Sequence, residues 1–362
     1  LQSRGLGDVY KRQGYANNSR SHFDGQRIWE NGDPTQPGLF EGWLYRYIQE
    51  NAMAAGADIP VLTVQSTPPL LTRGDQRFVN VANPDGFDFL YGDPKKDKFA
   101  SAWRRRYEAL EGLEPYRPVL SETDLKLVDT LDEYQSWDQA NWNPTDPDTG
   151  WHLFPVSEAT NPDDPSGPGG KKFAPGTYPF FRSLKVCALS LLESDGTNTN
   201  GTRVAGAQIA GWDTHENQGQ MAGTQANLLQ QLSYGLRSLR IALSGAANNE
   251  PRGYASIWHK TVMTTLSEFG RTSRENGSLG TDHANASCLF LQGGGVNGGV
   301  YNCDPSTWPA GVQFGIGGRS LLERTDYRAI FWELMRDHMG AAPSTVDAVF
   351  PGYTAGNLGA QE

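Results

Sequence analysis

Apolar residues recur along this chain at two spacings, one suited to strands and one to helices, and the two alternate from end to end. A first helix is expected over 21–32: Ser21 suits an N-cap, Asp24 sets a carboxylate near the positive helix end, and Gly32 stops it. A second covers about 41–55, with Leu44, Tyr47 and Ile48 on one face. The run at 59–65 (IPVLTVQ) reads as a buried strand, and Phe78-Val79-Asn80-Val81 as a candidate edge strand. Residues 97–140 suit two amphipathic helices, near 102–110 and 125–137. A helix at 180–193 turns Leu184, Ala188, Leu191 and Leu192 inward. A strand at 202–210 then precedes a long helix at 221–243, whose Leu228, Leu232, Leu236, Leu239 and Leu243 form a core stripe. Strands at 261–266 and 288–292 and a final helix at 327–339 complete the pattern. Strands alternating with helices predict an α/β sandwich with a largely parallel sheet.

Two segments interrupt that pattern. Residues 141–170, dense in Pro, Asp, Gly and Asn, predict an exposed, loop-rich insertion. Its Trp142 and Trp151 either line a cleft or plug the space beneath the loop. At the start, Asp8-Val9-Tyr10-Lys11-Arg12-Gln13 resembles a translated frame of a transposon adapter used in shotgun sequencing. Residues 1–13 are therefore set aside as an artefactual tail, leaving 14–362 as one domain. On that reading the natural N-terminus lies upstream, and nothing about export follows from the missing leader.

Composition narrows the picture. A chain of 362 residues can bury a substantial core. The formal charge is -10; Arg4, Lys11 and Arg12 against Asp8 give the tail +2, so the remainder carries -12. An acidic surface of that size argues against a nucleic-acid partner. No apolar stretch approaches the roughly 18 residues of a membrane span. Cys187, Cys288 and Cys303 are too scattered for a disulfide framework or a thiolate zinc site, leaving a Cys288–Cys303 bridge or buried thiols.

The chemistry gathers where apolar runs end. Asp213 and His215 lie two apart after the 202–210 strand, so in extended chain both side chains point one way and can reach one ion. Asp282 and His283 are adjacent but lie in a Gly-flanked loop that can turn both toward one centre. Two such pairs suit a one- or two-metal site that polarises an ester oxygen; either pair alone reads first as a hydrogen bond tying down a loop. Glu268 is a candidate ligand or acid/base and Arg271 a candidate clamp for an anionic oxygen, or the two form an ion pair that fixes the turn. Ser21 is a candidate nucleophile beside His22, or simply an N-cap. His152, His259 and His338 fall outside these groups and read as structural or surface residues.

Taken together, Ser21-His22-Phe23-Asp24-Gly25-Gln26, Trp29-Glu30-Asn31-Gly32, Gly211-Trp212-Asp213-Thr214-His215-Glu216-Asn217-Gln218, Ser267-Glu268-Phe269-Gly270-Arg271-Thr272, Gly280-Thr281-Asp282-His283 and Thr325-Asp326-Tyr327-Arg328 resemble the domain-of-unknown-function 1501 family. That family is generally bacterial and exported, often with a twin-arginine signal, which implies a periplasmic or extracellular location. It resembles the alkaline phosphatase and sulfatase superfamily, which implies a three-layer sandwich whose N-terminal strand, with an Asp ligand, would lie upstream of this chain. By order along the sequence, the resemblance makes Ser21 similar to the nucleophile and makes Asp213, His215, Asp282 and His283 similar to metal ligands. The Asp213-x-His215 gap is tighter than the superfamily's. The late histidine has only His338 to match it, inside a predicted helix, so His22 is taken as its substitute. The implied activity is metal-dependent hydrolysis of phosphate or sulfate esters, with zinc, manganese, calcium or magnesium as cofactor and an anionic ester or polymer as substrate. The rival is a non-catalytic envelope protein that retains the fold and binds a polymer or partner. A sheet lacking strands would expose an edge, so these residues alone are expected to show little activity and marginal stability.

Overall fold

Short apolar runs become strands and longer amphipathic runs become helices, largely in the predicted order. A computed structural model describes residues 7–12, 21–33, 35–36, 38–51, 57, 59–74, 78–87, 98, 101–102, 105–106, 117–137, 139–157, 173, 175–194, 201–284, 286–301, 320–321 and 325–353. The elements are β1 (Gly7–Arg12), α1 (His22–Asn31), α2 (Trp43–Glu50), β2 (Val61–Val64), β3 (Val79–Asn80), α3 (Arg117–Ser136), α4 (Tyr178–Glu193) and β4 (Val204–Ala207). They continue with α5 (Thr224–Leu243), β5 (Val262–Thr264), β6 (Gly270–Arg271), β7 (His283–Ala284), β8 (Cys288–Gly293), β9 (Gly299–Tyr301) and β10 (Thr325–Asp326). The last are α6 (Tyr327–Glu333), which passes into a π-helical turn at Leu334–His338, and α7 (Pro343–Val349). The expected helix at 102–110 lies mostly outside the described residues. Among the described residues no helix is long and apolar enough to cross a membrane.

The architecture is mixed α/β. β2 lies between β3 and β4, parallel to both, in a three-stranded sheet. All four of its residues are buried. Val61 belongs to one apolar cluster, with Trp43, Ile48, Tyr327 and Phe350, while Leu62 and Val64 belong to a second, with Phe181, Ala188 and Leu189 of α4. Burial on both faces explains why this strand reads as a continuous apolar run rather than an alternation. Each large side chain so buried contributes about 1.5–3 kcal/mol.

The larger sheet departs from expectation. It runs β10-β1-β8-β5, with β9 also on β1; β1 is parallel to β10 and β9, but β8 is antiparallel to both β1 and β5. The reason is the connection between β5 and β8. The chain leaves β5, extends through β6, turns, and returns through β7 antiparallel to β6, so it re-enters the sheet reversed. What the sequence presents as two independent strand ends is one long hairpin.

Residues 7–12, set aside on sequence grounds, form β1 at the middle of this sheet. An extended segment containing Val and Tyr suits a strand, and it pairs with β8 on one side and β10 on the other. The 141–170 loop is also less exposed than expected. Trp142, Leu153 and Phe154 are buried in the α4 cluster, Thr145 exchanges backbone hydrogen bonds with Asn248, and Arg237 holds Asp146. Trp142 is therefore a plug, whereas Trp151 is half-buried; residues 158–170 lie outside the described residues. So does Cys303, and with it the Cys288–Cys303 pairing.

Candidate metal centre

The site is built on the tip of the β6–β7 hairpin. Arg271 pairs with His283 in its register, and the Thr272 N–H donates to Asp282 O at 2.9 Å. Segment 214–218 lies along the same tip: Thr281 N donates to Thr214 O at 3.1 Å, Asn217 N to Ser278 O at 3.0 Å, and Gln218 N to Leu279 O at 2.9 Å. This approach needs a glycine. A Cβ on Gly280 would stand 2.1 Å from the carbonyl carbon of His215. Asn276 locks the turn, its Nδ2 donating to His215 O at 3.0 Å and to Asp282 Oδ1 at 2.9 Å, while its Oδ1 accepts from Ser278 N and Gly280 N. Gln218 Oε1 accepts from both the Thr214 and Thr281 hydroxyls. The N-terminus of α1 closes the third side, with the His22 ring 4.9 Å from that of Phe269.

Four side chains from these three segments converge. Asp213 Oδ1 lies 2.8 Å from His283 Nε2 and 3.0 Å from His215 Nε2, and the two Nε2 atoms are 2.9 Å apart. Asp213 Oδ2 lies 3.3 Å from His22 Nε2. Among the described residues, donor atoms of His22, Asp213 and His283 all fall within 4.8 Å of one another, so this group can hold a metal ion. His215 extends it on the Oδ1 side. Three donors about 2.1 Å from one ion and at right angles stand about 3.0 Å apart, which is the size of the Asp213–His215–His283 triangle.

Proton placement makes the same point. His22 Nδ1 is 2.5 Å from Glu268 Oε2, and His215 Nδ1 is 3.4 Å from Asp282 Oδ1. A carboxylate on Nδ1 places the ring proton there, so a neutral His215 turns a lone pair toward His283 and Asp213. Lone pairs and a carboxylate so close together need a cation between them, a proton or a metal. Burial alone would raise the Asp213 carboxyl, but hydrogen bonds from His283 and His22, with the nearby His215 and Arg271, hold it well below the usual carboxylate range. Burial would lower His22, yet its hydrogen bonds to Glu268 and Asp213 outweigh that and hold the imidazole above its ordinary value.

The sequence-predicted residues therefore fall into different places. His22, Asp213, His215 and His283 meet through the atoms that could bind an ion. Asp282 sits on the Nδ1 edge of His215, across the ring from that meeting point, and Glu268 occupies the same place on His22. Arg271 is not turned outward to clamp an anion: Nη2 donates to Trp212 O and Asp213 Oδ1, and Nη1 donates to Thr281 O, tying the two loops together. Ser21 is the N-cap of α1, with extended backbone and no side-chain capping hydrogen bond. His338, in the π-helical turn, takes no part.

Sequence reasoning missed Asn276, Gln218 and Phe269. Asn276-Gly277 is a turn signal lying between two recognised motifs, and Gln218 and Phe269 stand inside motifs where only charged residues drew notice. Phe269 packs its ring on His283, centroids 4.0 Å apart, which fixes the imidazole plane.

A family profile described as a protein of unknown function, DUF1501, matches residues 9–307. The chain belongs to the DUF1501 family. The match takes in every residue of the centre, and its start at residue 9 includes part of β1; Thr325-Asp326-Tyr327-Arg328 lies beyond it. No curated protein and no solved structure matches the chain.

The segments at 29–32 and 325–328, outside the centre, have architectural roles. Glu30 is buried, accepts from Leu71 N at 3.2 Å and from Gln26 Nε2 at 2.9 Å, and is held above the usual carboxylate range by burial. Asp326 caps α6 by accepting from Arg328 N and forks the Arg328 guanidinium, while the Tyr327 hydroxyl donates to Ile28 O.

Proposed function

We propose that this DUF1501 member is a metal-dependent hydrolase of phosphate or sulfate esters that acts outside the cytoplasm. The observation that carries the reading is the convergence of three imidazole Nε2 atoms on the single carboxylate of Asp213. A divalent ion held there would supply a Lewis acid for the ester oxygen. His22, Asp213, His215 and His283 hold that charge. Arg271 keeps the two loops at the spacing the donors need. Ser21, next in the chain to His22, would supply the attacking hydroxyl: its oxygen bonds to phosphorus or sulfur, the ester bond breaks, the hydroxyl proton leaves with the departing alcohol, and water later releases the group. The superfamily resemblance supports the ester class, and the half-exposed position of Asp213 and His215 leaves the centre open to substrate.

The test is turnover of aryl phosphate and aryl sulfate esters by protein stripped of metal and then reloaded with zinc or manganese. Turnover that returns with metal and is lost in Ser21→Ala supports the reading. Absence of turnover of both esters in metal-loaded protein refutes it.

One observation favours the envelope-binding alternative. Phe23, beside His22, is 77% exposed, and Leu279, beside Gly280, is 58% exposed with φ 61°, a costly backbone for a leucine. Apolar side chains held out at the rim suit a partner surface. Retention of a polymer by metal-free protein would support that alternative.

A further inference from the structure

The superfamily resemblance treats Asp282 and His283 as one pair of ligands and leaves open whether one metal is held or two. We infer that the centre is mononuclear, that its donors are Asp213 and Nε2 of His22, His215 and His283, and that Asp282 and Glu268 are positioning residues. This rests on the metal-centre reading above and deepens it.

The inference follows from where the carboxylates are spent. Both oxygens of Asp213 face imidazole nitrogens, Oδ1 toward His215 and His283 and Oδ2 toward His22. Among the described residues the donor atoms of His22, Asp213 and His283 form one group, all within 4.8 Å of one another, so an ion on the Oδ2 side would draw on the same donors as the first. The carboxylates that could complete such a site lie elsewhere: Glu268 Oε2 is on His22 Nδ1, and Asp282 Oδ1 faces His215 Nδ1 while accepting from Asn276. Donors shared in this way serve one ion rather than two. His215 Nε2 joins that group on the Oδ1 side, 3.0 Å from Asp213 Oδ1. A carboxylate on the far ring nitrogen of a ligating histidine orients the ring, fixes its tautomer and raises its basicity, and its loss typically weakens metal binding about 10–100-fold.

Glu268 and Asp282 are also placed to act independently. Glu268 precedes Phe269, whose ring packs on both His22 and His283, so one turn of chain steers two donors. Asp282 is held by Asn276, which also grips the His215 carbonyl, so one side chain sets both ends of the second arm.

The experiment uses the whole chain, stripped of metal and titrated with cobalt(II), reading bound cobalt per chain, affinity by chelator competition, and the visible absorption spectrum. Wild type is expected to bind one equivalent. Asp282→Asn and Glu268→Gln should still bind one equivalent about 10–100-fold more weakly with a shifted spectrum. Ala at either position should weaken binding further than the amide, because the amide oxygen still accepts the Nδ1 proton. His283→Ala should lose stoichiometric binding, and circular dichroism would verify that each variant is folded. Two cobalt ions per wild-type chain, loss of stoichiometric binding in Asp282→Asn to match His283→Ala, or amide variants with unchanged affinity and spectrum would each overturn the inference while leaving a metal centre in place. Wild-type protein that binds no cobalt would end the metal-centre reading itself, and this inference with it.

Discussion

Two regions of this molecule are both rich in polar side chains, yet they use them in opposite ways. Around Glu30, Asn31, Asp33 and Arg46, polar atoms meet backbone. Glu30 accepts from Leu71 N, Asn31 donates to Gln36 O and accepts from Asp33 N, and Arg46 donates to Val349 O and Asn31 O. Around Asp213, ionisable side chains instead meet one another, half-exposed at a hairpin tip. Buried polar groups satisfied by backbone hold a fold together, because leaving one unpaired costs more than making the bond gains. Side chains of matched charge that converge at an accessible point do little for stability and are available for chemistry.

Substitutions should separate the two regions. The largest effect is expected from Asp213→Ala. Metal affinity should fall more than about 100-fold, beyond the range of a supporting residue, while the urea midpoint of the metal-free protein barely moves. A large loss of stability in that variant would erase the distinction. Glu30→Ala is the converse: it removes the acceptor of the part-buried Leu71 N–H and should cost about 1–3 kcal/mol in urea unfolding, with cobalt stoichiometry unchanged once the protein is folded.

The smallest effect sharpens the comparison through pH. His338 belongs to the architecture, and burial holds its pKa below the ordinary 6.5. A histidine depressed in the folded state contributes stability above its unfolded pKa and loses it as pH falls through the folded value. Between pH 7 and 5 His338 should therefore cost the folded state stability, and His338→Gln should be less acid-sensitive than wild type, by about a few tenths of a kcal/mol. An identical slope in the variant would place the acid sensitivity elsewhere.

The sequence made the elements legible better than their arrangement. The Val61–Val64 run and the α4 and α5 stripes announce themselves, since burial writes apolar periodicity directly into the chain. Strand direction does not: nothing in Thr261–Thr272 or Gly280–Gln292 states that one hairpin joins them, because that depends on pairing across a turn. The site shows the same division. Asp213, His215, His283 and His22 were visible as ion-binding types near strand and helix ends. The separation of donors from supports was not, since it turns on which ring nitrogen faces which carboxylate. Arg271 illustrates this: its charge suggested an anion clamp, and its neighbours make it a brace between loops.

The most direct measurement is an anomalous difference map from crystals of the cobalt-loaded protein. The predicted result is one peak, bounded by Asp213 and by Nε2 of His215 and His283, with His22 closing the Oδ2 side and with Asp282 and Glu268 each one ring away. No peak, a second peak nearby, or an oxygen of Asp282 in direct contact with the ion would contradict it.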